Sequence, residues 1–256
     1  MGYDPMKEML RVEHLTKAYG SSNGSNVVLN DLSLTVRENE FVCILGPSGC
    51  GKSTLLRCVA GFEQYEGSIE CDGRVVSKPS TDRIMVFQDY NQLFPWKTVE
   101  KNVQYPLRVM GLRDKEALRA KSDEALKKVG LDGYQKYYPH ELSGGMKQRA
   151  AIAKALALKP KVILMDEPFA ALDAITRNRL QAELYRIYSE EKMTVIFITH
   201  NIQEALTLGT RLILMGSRGH IAIDEKNPLT KPVTPSTEGY SAVWDRFSKA
   251  LAAESL

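Results

Sequence analysis

Two segments at the start of the chain alternate apolar and polar side chains. They cover residues 10–19 and 27–36, and the stretch GSSNGSN separates them. Alternation with a period of two is typical of a strand that buries one face, and a cluster of Gly, Ser and Asn favours a turn. The pattern therefore predicts an antiparallel β layer at the beginning of the chain.

Further along, short continuous apolar runs are followed by stretches with helical spacing. Strands that are buried on both faces of a parallel sheet read as such runs, and strands that alternate with helices indicate an α/β fold. We therefore predict a core of mostly parallel strands. The predicted strands are 41–45, 68–71, 84–87, 162–165 and 194–198, and the predicted helices are 52–61, 174–189 and 202–208.

Between residues 98 and 129 the pattern changes to helical spacing, with Leu118, Ala125 and Val129 recurring among many Lys, Arg and Glu residues. An Ala-rich helix follows from Ser143. Because these helices interrupt the predicted sheet, we expect a helical subdomain inserted into the core. The predicted boundaries are 1–90 and 160–224 for the core, 91–159 for the helical subdomain and 225–256 for a tail.

The tail begins with a Pro- and Thr-rich stretch over residues 227–239, which favours a linker. After it, Trp244, Phe247 and Leu251 recur at helical spacing. Apolar stripes on a helix usually face a core, so we expect an amphipathic helix that docks on the body of the protein.

The composition narrows the class of protein. Of the 256 residues, 43% are hydrophobic and 25% are charged, the usual mix of a globular protein. The 34 basic and 31 acidic side chains are interspersed and give a net charge of +3, which argues against nucleic acid as a partner. No apolar run approaches the roughly 18 residues of a membrane span, and the N-terminal sequence lacks a secretory signal. We therefore expect the protein to be in the cytosol.

Four cysteines show neither zinc spacing nor a redox pair, which fits reduced thiols in a reducing compartment. Cys43, Cys58 and Cys71 are interpreted as packing residues. Cys50 lies inside a glycine-rich loop, and a solvent-accessible thiol there would make activity sensitive to alkylation. The alternative is that Cys50 is an inert small residue.

Residues 46–53, GPSGCGKS, match the phosphate-binding pattern G-x-x-x-x-G-K-[ST]. They lie between a predicted strand and a predicted helix, as in a P-loop NTPase. Glycines let backbone N–H groups surround a phosphate, Lys52 supplies charge to the β and γ phosphates, and Ser53 offers a hydroxyl to Mg²⁺. The predicted ATP-binding residues of this loop are Gly46, Pro47, Ser48, Gly49, Cys50, Gly51, Lys52, Ser53 and Thr54.

Asp166 and Glu167 come directly after the predicted strand 162–165. In α/β sheets ligands bind at the carboxyl ends of strands, so Asp166 would hold Mg²⁺ and Glu167 would orient or deprotonate the attacking water. The alternative is a solvated turn before Pro168. The phosphate-binding loop in the same chain favours the catalytic interpretation.

A second loop suited to an anion opens the Ala-rich helix with LSGGMKQR, residues 142–149. Here the chain resembles the ABC ATPase family, whose LSGGQ signature it matches except at Met146. The alternative is a helix cap followed by a turn. The resemblance implies that Ser143, Gly144 and Gly145 of one subunit close on the γ-phosphate of an ATP held by a partner. It therefore implies a head-to-tail dimer with two enclosed ATP molecules.

The same resemblance assigns four further positions. Tyr19 would stack on adenine, and Gln88 would sense Mg²⁺ and water and relay to a membrane partner. Asp173 would cross the dimer interface, and His200 would contact the γ-phosphate. Without the resemblance, an aromatic residue like Tyr19 would more often be part of the core, and a histidine at a strand end would more often be structural. The catalytic set implied by the resemblance is Glu167, His200, Gln88 and Lys52, and the Mg²⁺ set is Ser53, Gln88 and Asp166.

ABC ATPases also include proteins of DNA repair, chromosome organisation and translation. From Gln88 to Ser143 is only 55 positions, far short of the long coiled coil of chromosome-organising members. Residues 88–103, with the pair Pro95 and Trp96, resemble the ATPases of nitrate, sulfonate, taurine and bicarbonate importers. By resemblance this segment would line a groove for a membrane subunit. Alternatively, Phe94 and Trp96 only seal the helical subdomain.

The sequence thus predicts the ATPase subunit of an importer for a small anion, peripheral on the cytoplasmic face of the membrane. The expected partners are a second copy or a similar ATPase subunit, integral-membrane permease subunits and, indirectly, a substrate-binding protein. The expected cofactors are ATP and Mg²⁺. The alternative is a non-import ABC ATPase of the lipid-extracting, cell-division, nucleic-acid or translation type.

Overall fold

The structure is a computed structural model, and it describes residues 7–21, 24–87 and 92–254. Within these ranges two sheets stack around helix α1, and three helices form an inserted layer. The strands are β1 (Glu8–Ser21), β2 (Gly24–Arg37), β3 (Phe41–Leu45), β4 (Glu66–Cys71), β5 (Arg74–Val75), β6 (Arg83–Val86), β7 (Val162–Asp166), β8 (Thr194–Ile198), β9 (Arg211–Met215) and β10 (Ile221–Lys226). The helices are α1 (Lys52–Ala60), α2 (Val99–Val109), α3 (Lys115–Lys128), α4 (Gly144–Leu156), α5 (Ala174–Glu191), α6 (Ile202–Leu208) and α7 (Tyr240–Glu254).

The predicted antiparallel layer is confirmed. In the described part of the chain its strand order is β2-β1-β4-β5, and β1 pairs antiparallel with both β2 and β4. Leu10, Val12 and Leu15 are buried, whereas Arg11 and Glu13 between them are exposed. The alternating pattern thus gives this sheet one core face and one solvent face.

The second sheet contains six described strands in the order β10-β9-β3-β8-β7-β6. Its neighbours are parallel except for β9 and β10, which form an antiparallel hairpin. The apolar runs predicted β3 and β8 with their observed bounds and β7 to within one residue. Strands β9 and β10 were not predicted, because only Gly209 and Thr210 separate β9 from α6 and because β10 alternates weakly along the sheet edge.

Strand β3 holds the two halves of the core together. Its alternate residues Val42 and Ile44 face the cluster shared with α1 and the antiparallel sheet, and Phe41, Cys43 and Leu45 face the cluster under the inserted helices. Complete burial on both faces fixes the strand, and the loop that follows it therefore starts from a rigid support. Cys43, Cys58 and Cys71 are buried in these clusters, which confirms them as packing residues.

The region of helical spacing at 98–129 consists of two helices. Helix α2 ends at Val109, Gly111 adopts a left-handed φ of +94°, and Asp114 caps α3 by accepting from Ala117 N at 2.6 Å. Both helices pack against α4, which also contacts the edge strand β6. The inserted layer is thereby attached to the end of the parallel sheet opposite to β9 and β10.

The tail is more closely packed than a linker. The ammonium of Lys231 donates to the carbonyls of Leu206 (2.8 Å) and Thr207 (2.6 Å), and Asn227 Nδ2 donates to Leu206 O at 2.8 Å. The segment 227–239 is therefore attached to the carboxyl end of α6. Helix α7 docks as expected through Phe247, but Trp244 is 40% exposed, so its predicted core position is wrong. The buried stripe of α7 instead combines Phe247 with Val243.

No helix in the described ranges is both long and apolar enough to span a membrane.

Candidate functional site

The predicted phosphate loop runs from the carboxyl end of β3 to the start of α1. Gly49 and Gly51 have φ values of +81° and +107°, which glycine adopts without steric cost. A Cβ on Gly46 would lie 2.2 Å from the carbonyl oxygen of Met215, so only glycine lets this loop rest on β9. Helix α1 begins without a side-chain cap, which leaves backbone N–H donors at its N-terminus for an anion.

The loop encloses the ammonium group of Lys52. This side chain is only 6% exposed, and its Nζ donates to the carbonyls of Gly46 (2.8 Å) and Pro47 (2.7 Å). A largely buried cation inside a ring of backbone groups attracts a polyanion strongly, because the surroundings screen its charge less than water does. Of the other loop positions, Ser48 and Ser53 are exposed and Thr54 is half-buried in the first turn of α1.

Ser53 meets the first of the two predicted carboxylates. Its hydroxyl donates to Asp166 Oδ1 at 3.0 Å, across 113 positions of sequence. Burial raises the pKa of Asp166, and the neighbouring charge of Glu167 adds to that rise, while the Ser53 hydrogen bond opposes it. A bound cation would reverse this shift, since it favours the ionised carboxylate.

A hydroxyl and a carboxylate side by side are hard oxygen ligands, which suit Mg²⁺. Within the described residues, no group of three His, Cys, Asp or Glu side chains is placed to hold a metal by itself. That agrees with the usual binding of Mg²⁺ through one or two carboxylates and the oxygens of a bound phosphate. Ser53 and Asp166 therefore fit this cofactor, and Gln88, the third predicted ligand, lies outside the described residues.

Glu167 and His200 form the second polar pair. The Glu167 Oε2 atom lies 2.9 Å from His200 Nδ1, although the two residues are 33 positions apart. Strand β7 precedes Glu167, strand β8 leads to His200, and these neighbours pair in parallel register, with Asp166 opposite Ile198. The backbone of Glu167 has an uncommon φ of +45°, and its N–H donates to Ile198 O at 3.1 Å. Such strain is often found at functional sites.

The loops that follow three neighbouring strands therefore meet at the carboxyl end of the parallel sheet. The phosphate loop follows β3, His200 follows β8, and Asp166 and Glu167 stand at the end of β7, with the strands adjacent in the order β3-β8-β7. The arrangement offers an anion cradle, an oxygen pair for a divalent cation and a carboxylate supported by an imidazole. Those are the parts that phosphoryl transfer to water requires.

The second anion-suited loop stands on the inserted layer. Ser143 is exposed and caps α4, its hydroxyl accepting from Met146 N at 3.3 Å. A Cβ on Gly145 would lie 2.7 Å from the Cγ2 methyl of Thr176, so glycine here lets α4 approach α5 closely. Gly144 is the first residue of α4. Helix α4 packs on the edge strand β6, and β7 and β8 separate that strand from β3.

Two further predicted positions have a defined local setting. Tyr19 is half-buried rather than a core residue, and the Lys17 ammonium lies 4.6 Å from its ring centroid. Asp173 is exposed and caps α5, where the N–H of Thr176 donates to its carboxylate at 3.0 Å and lowers its pKa. Their assigned contacts with adenine and with a partner subunit stay predictions.

Cys50 is buried in the phosphate loop, and burial raises the pKa of its thiol. Alkylating reagents attack the thiolate, so both effects protect Cys50. The geometry favours the inert alternative over a reactive cysteine.

A mostly apolar groove with a volume of about 570 Å³ lies between the parallel sheet and the inserted helices. Trp96 stands 70% exposed on the inserted layer, and Phe94 is half-buried, with its ring 4.7 Å from that of Tyr105. Phe94 thus partly seals the subdomain, whereas Trp96 does not. Sequence reasoning missed the groove residue Lys154, whose burial lowers its pKa. The groove is lined by Ile84, Met85, Phe87, Gln92, Pro106, Ala151, Lys154, Ala155 and Leu158.

The chain is similar to several known proteins along most of its length. The sequence profile of the family described as ABC transporter matches residues 29–170. An uncharacterized ABC transporter ATP-binding protein of Methanocaldococcus jannaschii is 48% identical over 90% of this chain and 86% of its own length. The bicarbonate transport ATP-binding protein CmpD of Synechocystis is 44% identical over 84% of this chain and 77% of its own length. The aliphatic sulfonates import ATP-binding protein SsuB of Bacillus cereus is 42% identical over 91% of each chain.

Solved structures agree with these relatives. A dimeric ATP-binding cassette in a post-hydrolysis state, bound to ADP and Pi, superposes with a TM-score of 0.75 and 34% identity. It covers 86% of this chain and 99% of its own. This chain therefore belongs to the ABC transporter family of ATP-binding, ATP-hydrolysing subunits. The resemblance drawn from residues 142–149 and the α/β architecture with its antiparallel layer are confirmed.

Proposed function

We propose that this chain pairs head to tail and that ATP hydrolysis at the two shared sites drives movement of separate membrane permease subunits. The observation that carries the proposal is the presence of two unlike anion-suited loops on different supports. One follows β3 in the buried core, and the other opens α4 at the surface of the inserted layer. In a head-to-tail pair, the surface loop of one subunit would complete the site that the other subunit begins.

Each polar group at the carboxyl end of the parallel sheet then has a role. Lys52 and the N-terminus of α1 bind the phosphates of ATP, and Ser53 and Asp166, together with Gln88, hold Mg²⁺, which would neutralise phosphate charge. Glu167 orients or deprotonates the attacking water, and His200 fixes that carboxylate and contacts the γ-phosphate. Ser143, Gly144 and Gly145 supply donors from the partner, and Asp173 crosses the interface. Tyr19 stacks on adenine.

The groove and Trp96 are the proposed contact for a permease, and we propose that this chain accordingly lies at the cytoplasmic face of the membrane. Phe94 connects the two, because its ring lies 5.5 Å from that of Trp96 and 5.0 Å from the ammonium of the groove residue Lys154. An exposed tryptophan close to an apolar groove is a typical anchor of a protein interface. We propose that ATP closes the dimer, that the attached permease changes orientation with it, and that hydrolysis reopens the pair. The output of the enzyme is then motion rather than a new compound.

We further propose import of a small anion delivered by a substrate-binding protein. The support is that related chains are named for bicarbonate transport and aliphatic sulfonate import, which also favours an importer over the lipid-extracting, cell-division, nucleic-acid or translation alternatives. Nitrate and taurine belong to the same proposed cargo class. Deleting this chain and measuring uptake of labelled bicarbonate, sulfonate, taurine and nitrate would identify the cargo.

The substitution Glu167→Gln tests the catalytic assignment. It keeps the shape of the side chain but removes the base, so hydrolysis should fall by roughly 10²- to 10⁴-fold. ATP binding should persist, and size-exclusion chromatography should show an ATP-dependent dimer. Glu116→Gln, on the exposed side of α3, serves as the matched control and should leave both properties unchanged. Normal hydrolysis by a monomeric Glu167→Gln variant would contradict the proposal.

The permease assignment is tested by purifying the tagged chain from native membranes and identifying what accompanies it. We expect a polytopic membrane protein whose recovery falls in the variant Trp96→Ala. The chain offers a matched control, because its only other tryptophan, Trp244, is also exposed but lies on α7. Recovery of ribosomes or DNA instead of a permease, or equal losses from both tryptophan variants, would argue against this interface.

A further inference from the structure

A buried carboxylate lies close to the loop that carries His200. Glu204 on α6 is only 5% exposed. The hydroxyl of Thr199, directly before His200 in sequence, donates to Glu204 Oε2 at 2.5 Å, and Gln181 Nε2 donates to Glu204 Oε1 at 3.3 Å. Thr199 Oγ1 also accepts from Asn201 N at 3.0 Å. The backbone on both sides of His200 is thus tied to one carboxylate.

The same carboxylate is paired with a cation on α5. Arg177 Nε lies 3.6 Å from Glu204 Oε1, a distance of ion pairing rather than of hydrogen bonding. The other end of the guanidinium donates from Nη2 to the carbonyl of Leu172 at 2.7 Å. Leu172 directly precedes Asp173, the residue predicted to cross the dimer interface. This pair, in which Glu204 is buried and Arg177 is half-buried, therefore connects the loop before His200 with the loop before Asp173, the two residues proposed to contact the γ-phosphate and the partner.

The members of this network cannot move independently at low cost. Burial raises the pKa of Glu204, whereas the Thr199 hydroxyl and the Arg177 charge lower it. A carboxylate separated from its cation inside the protein would be left as an uncompensated buried charge, which is strongly unfavourable. A displacement of the loop at Leu172 is therefore expected to pull Arg177, then Glu204, and with it the segment at Thr199.

We infer that Glu204 is a positioning residue that, with Arg177, couples the loop bearing His200 to the loop bearing Asp173 within one subunit. The inference rests on the proposed function, since it requires that Asp173 reach the partner. Closure of the loop at one shared site then repositions the histidine at the other site. Neither Glu204 nor Arg177 needs to touch ATP. The pair's function is to make the two sites of a dimer hydrolyse together.

Mixed dimers provide the test. Full-length chains with and without Glu167→Gln are combined as monomers in varied ratio before ATP is added, and hydrolysis is measured against the active fraction. If the sites are coupled, one inactive site silences the other, and activity follows the square of the active fraction. If they are independent, activity falls linearly. The same series is then repeated with Glu204→Gln present in every chain.

We expect a square dependence for the natural chain and a linear one when every chain carries Glu204→Gln or Arg177→Gln. The control Gln181→Leu removes a different hydrogen bond to Glu204. It leaves Arg177 in contact with both Glu204 and Leu172, so it should keep the square dependence. The melting temperature of each variant, measured alongside, separates coupling from simple loss of stability.

Several outcomes would overturn the inference. These are a linear dependence in the natural chain, a square dependence retained in both Glu204→Gln and Arg177→Gln, or the same change in Gln181→Leu. Complete inactivity of both variants at an unchanged melting temperature would also overturn it, because that would place the pair in the chemistry itself. If Glu204→Gln does not fold, Arg177→Gln carries the comparison. Failure of the proposed function is distinguishable, because Glu167→Gln would then form no ATP-dependent dimer at all.

Discussion

The two anion-suited loops of this protein differ in how their surroundings hold them. The phosphate loop is seated between β3 and α1, and its Gly46, Cys50 and Lys52 are buried. The signature loop, residues 142–145, opens the mostly buried helix α4, and Ser143 is its exposed residue, with the hydroxyl in a local capping contact. One chain supplies the complete support of the first loop. The second loop has its exposed serine at a helix N-terminus, so under the proposed function its phosphate comes with a partner subunit.

The substitution Lys52→Ala should have the largest effect. It removes a buried cation from the centre of the phosphate loop, so hydrolysis should fall by about 100-fold or more, and ATP binding by the monomer should weaken as well. Fluorescent nucleotide titration and a phosphate-release assay would measure both. Lys161→Ala changes an exposed lysine elsewhere and should alter neither, so equal losses from the two variants would contradict the assignment.

Ser143→Asp should separate binding from pairing. Aspartate is a good N-cap, so α4 should stay folded, but its charge would repel a phosphate brought by a partner. We expect ATP binding by the monomer to be kept, while the ATP-dependent dimer and hydrolysis fall at least about tenfold, the factor that 1.4 kcal/mol of repulsion would produce. Ser143→Asn keeps the cap without the charge and should be much milder. Weakened ATP binding by the Ser143→Asp monomer would contradict the prediction that Ser143 acts only on the ATP of a partner.

Mixing the two variants should restore activity when every chain also carries Glu204→Gln, because the inferred coupling would otherwise let the defective site silence the complete one. In a head-to-tail pair, a Lys52→Ala subunit still offers an intact signature loop, and a Ser143→Asp subunit still offers an intact phosphate loop. Each mixed dimer therefore contains one complete site and one doubly defective site. Hydrolysis per chain should be higher in the mixture than in either variant alone. No recovery at any ratio would argue that both loops serve the same subunit.

A smaller effect is expected from Gly145→Ala. The added methyl would lie 2.7 Å from Thr176 Cγ2, so either the Thr176 side chain or helix α4 would have to shift. Overpacking of this kind costs about 1–3 kcal/mol of unfolding free energy, which urea denaturation would measure. Thr176→Ala provides the space and should restore part of the loss in the double variant. Additive losses would show that the two positions are not in contact.

The smallest effect should come from alkylation of Cys50. Its thiol is buried and its pKa is raised, so little thiolate forms near neutral pH and modification of the folded protein should be slow with or without ATP. The rate should keep rising as the pH increases beyond 9, because more thiolate forms. Mass spectrometry after timed exposure would follow it. Rapid modification at pH 7 with loss of activity would restore the reactive interpretation.

Much of this comparison could be predicted from the sequence, because the decisive motifs are short and continuous. A loop such as 46–53 has its glycines, lysine and serine within eight positions, so local backbone geometry alone brings them together. The apolar runs of β3 and β8 were equally clear, since complete burial demands an unbroken series of apolar residues. The helical spacing at 98–129 was also recognisable, although the break between α2 and α3 after Val109 was not predicted.

Which distant residues meet depends on how the strands and helices pack. The Ser53–Asp166 and Glu167–His200 contacts depend on the order β3-β8-β7, which no local pattern encodes. For the same reason, no motif in the sequence indicates the link from Glu204 through Arg177 to the loop before Asp173. Trp244 shows how far periodicity can predict burial on a single helix. The pattern defines an apolar stripe, but it does not say which side of that stripe the neighbouring elements cover. The chemistry of each loop follows from its own residues, and the packing of strands and helices determines which side chains it meets.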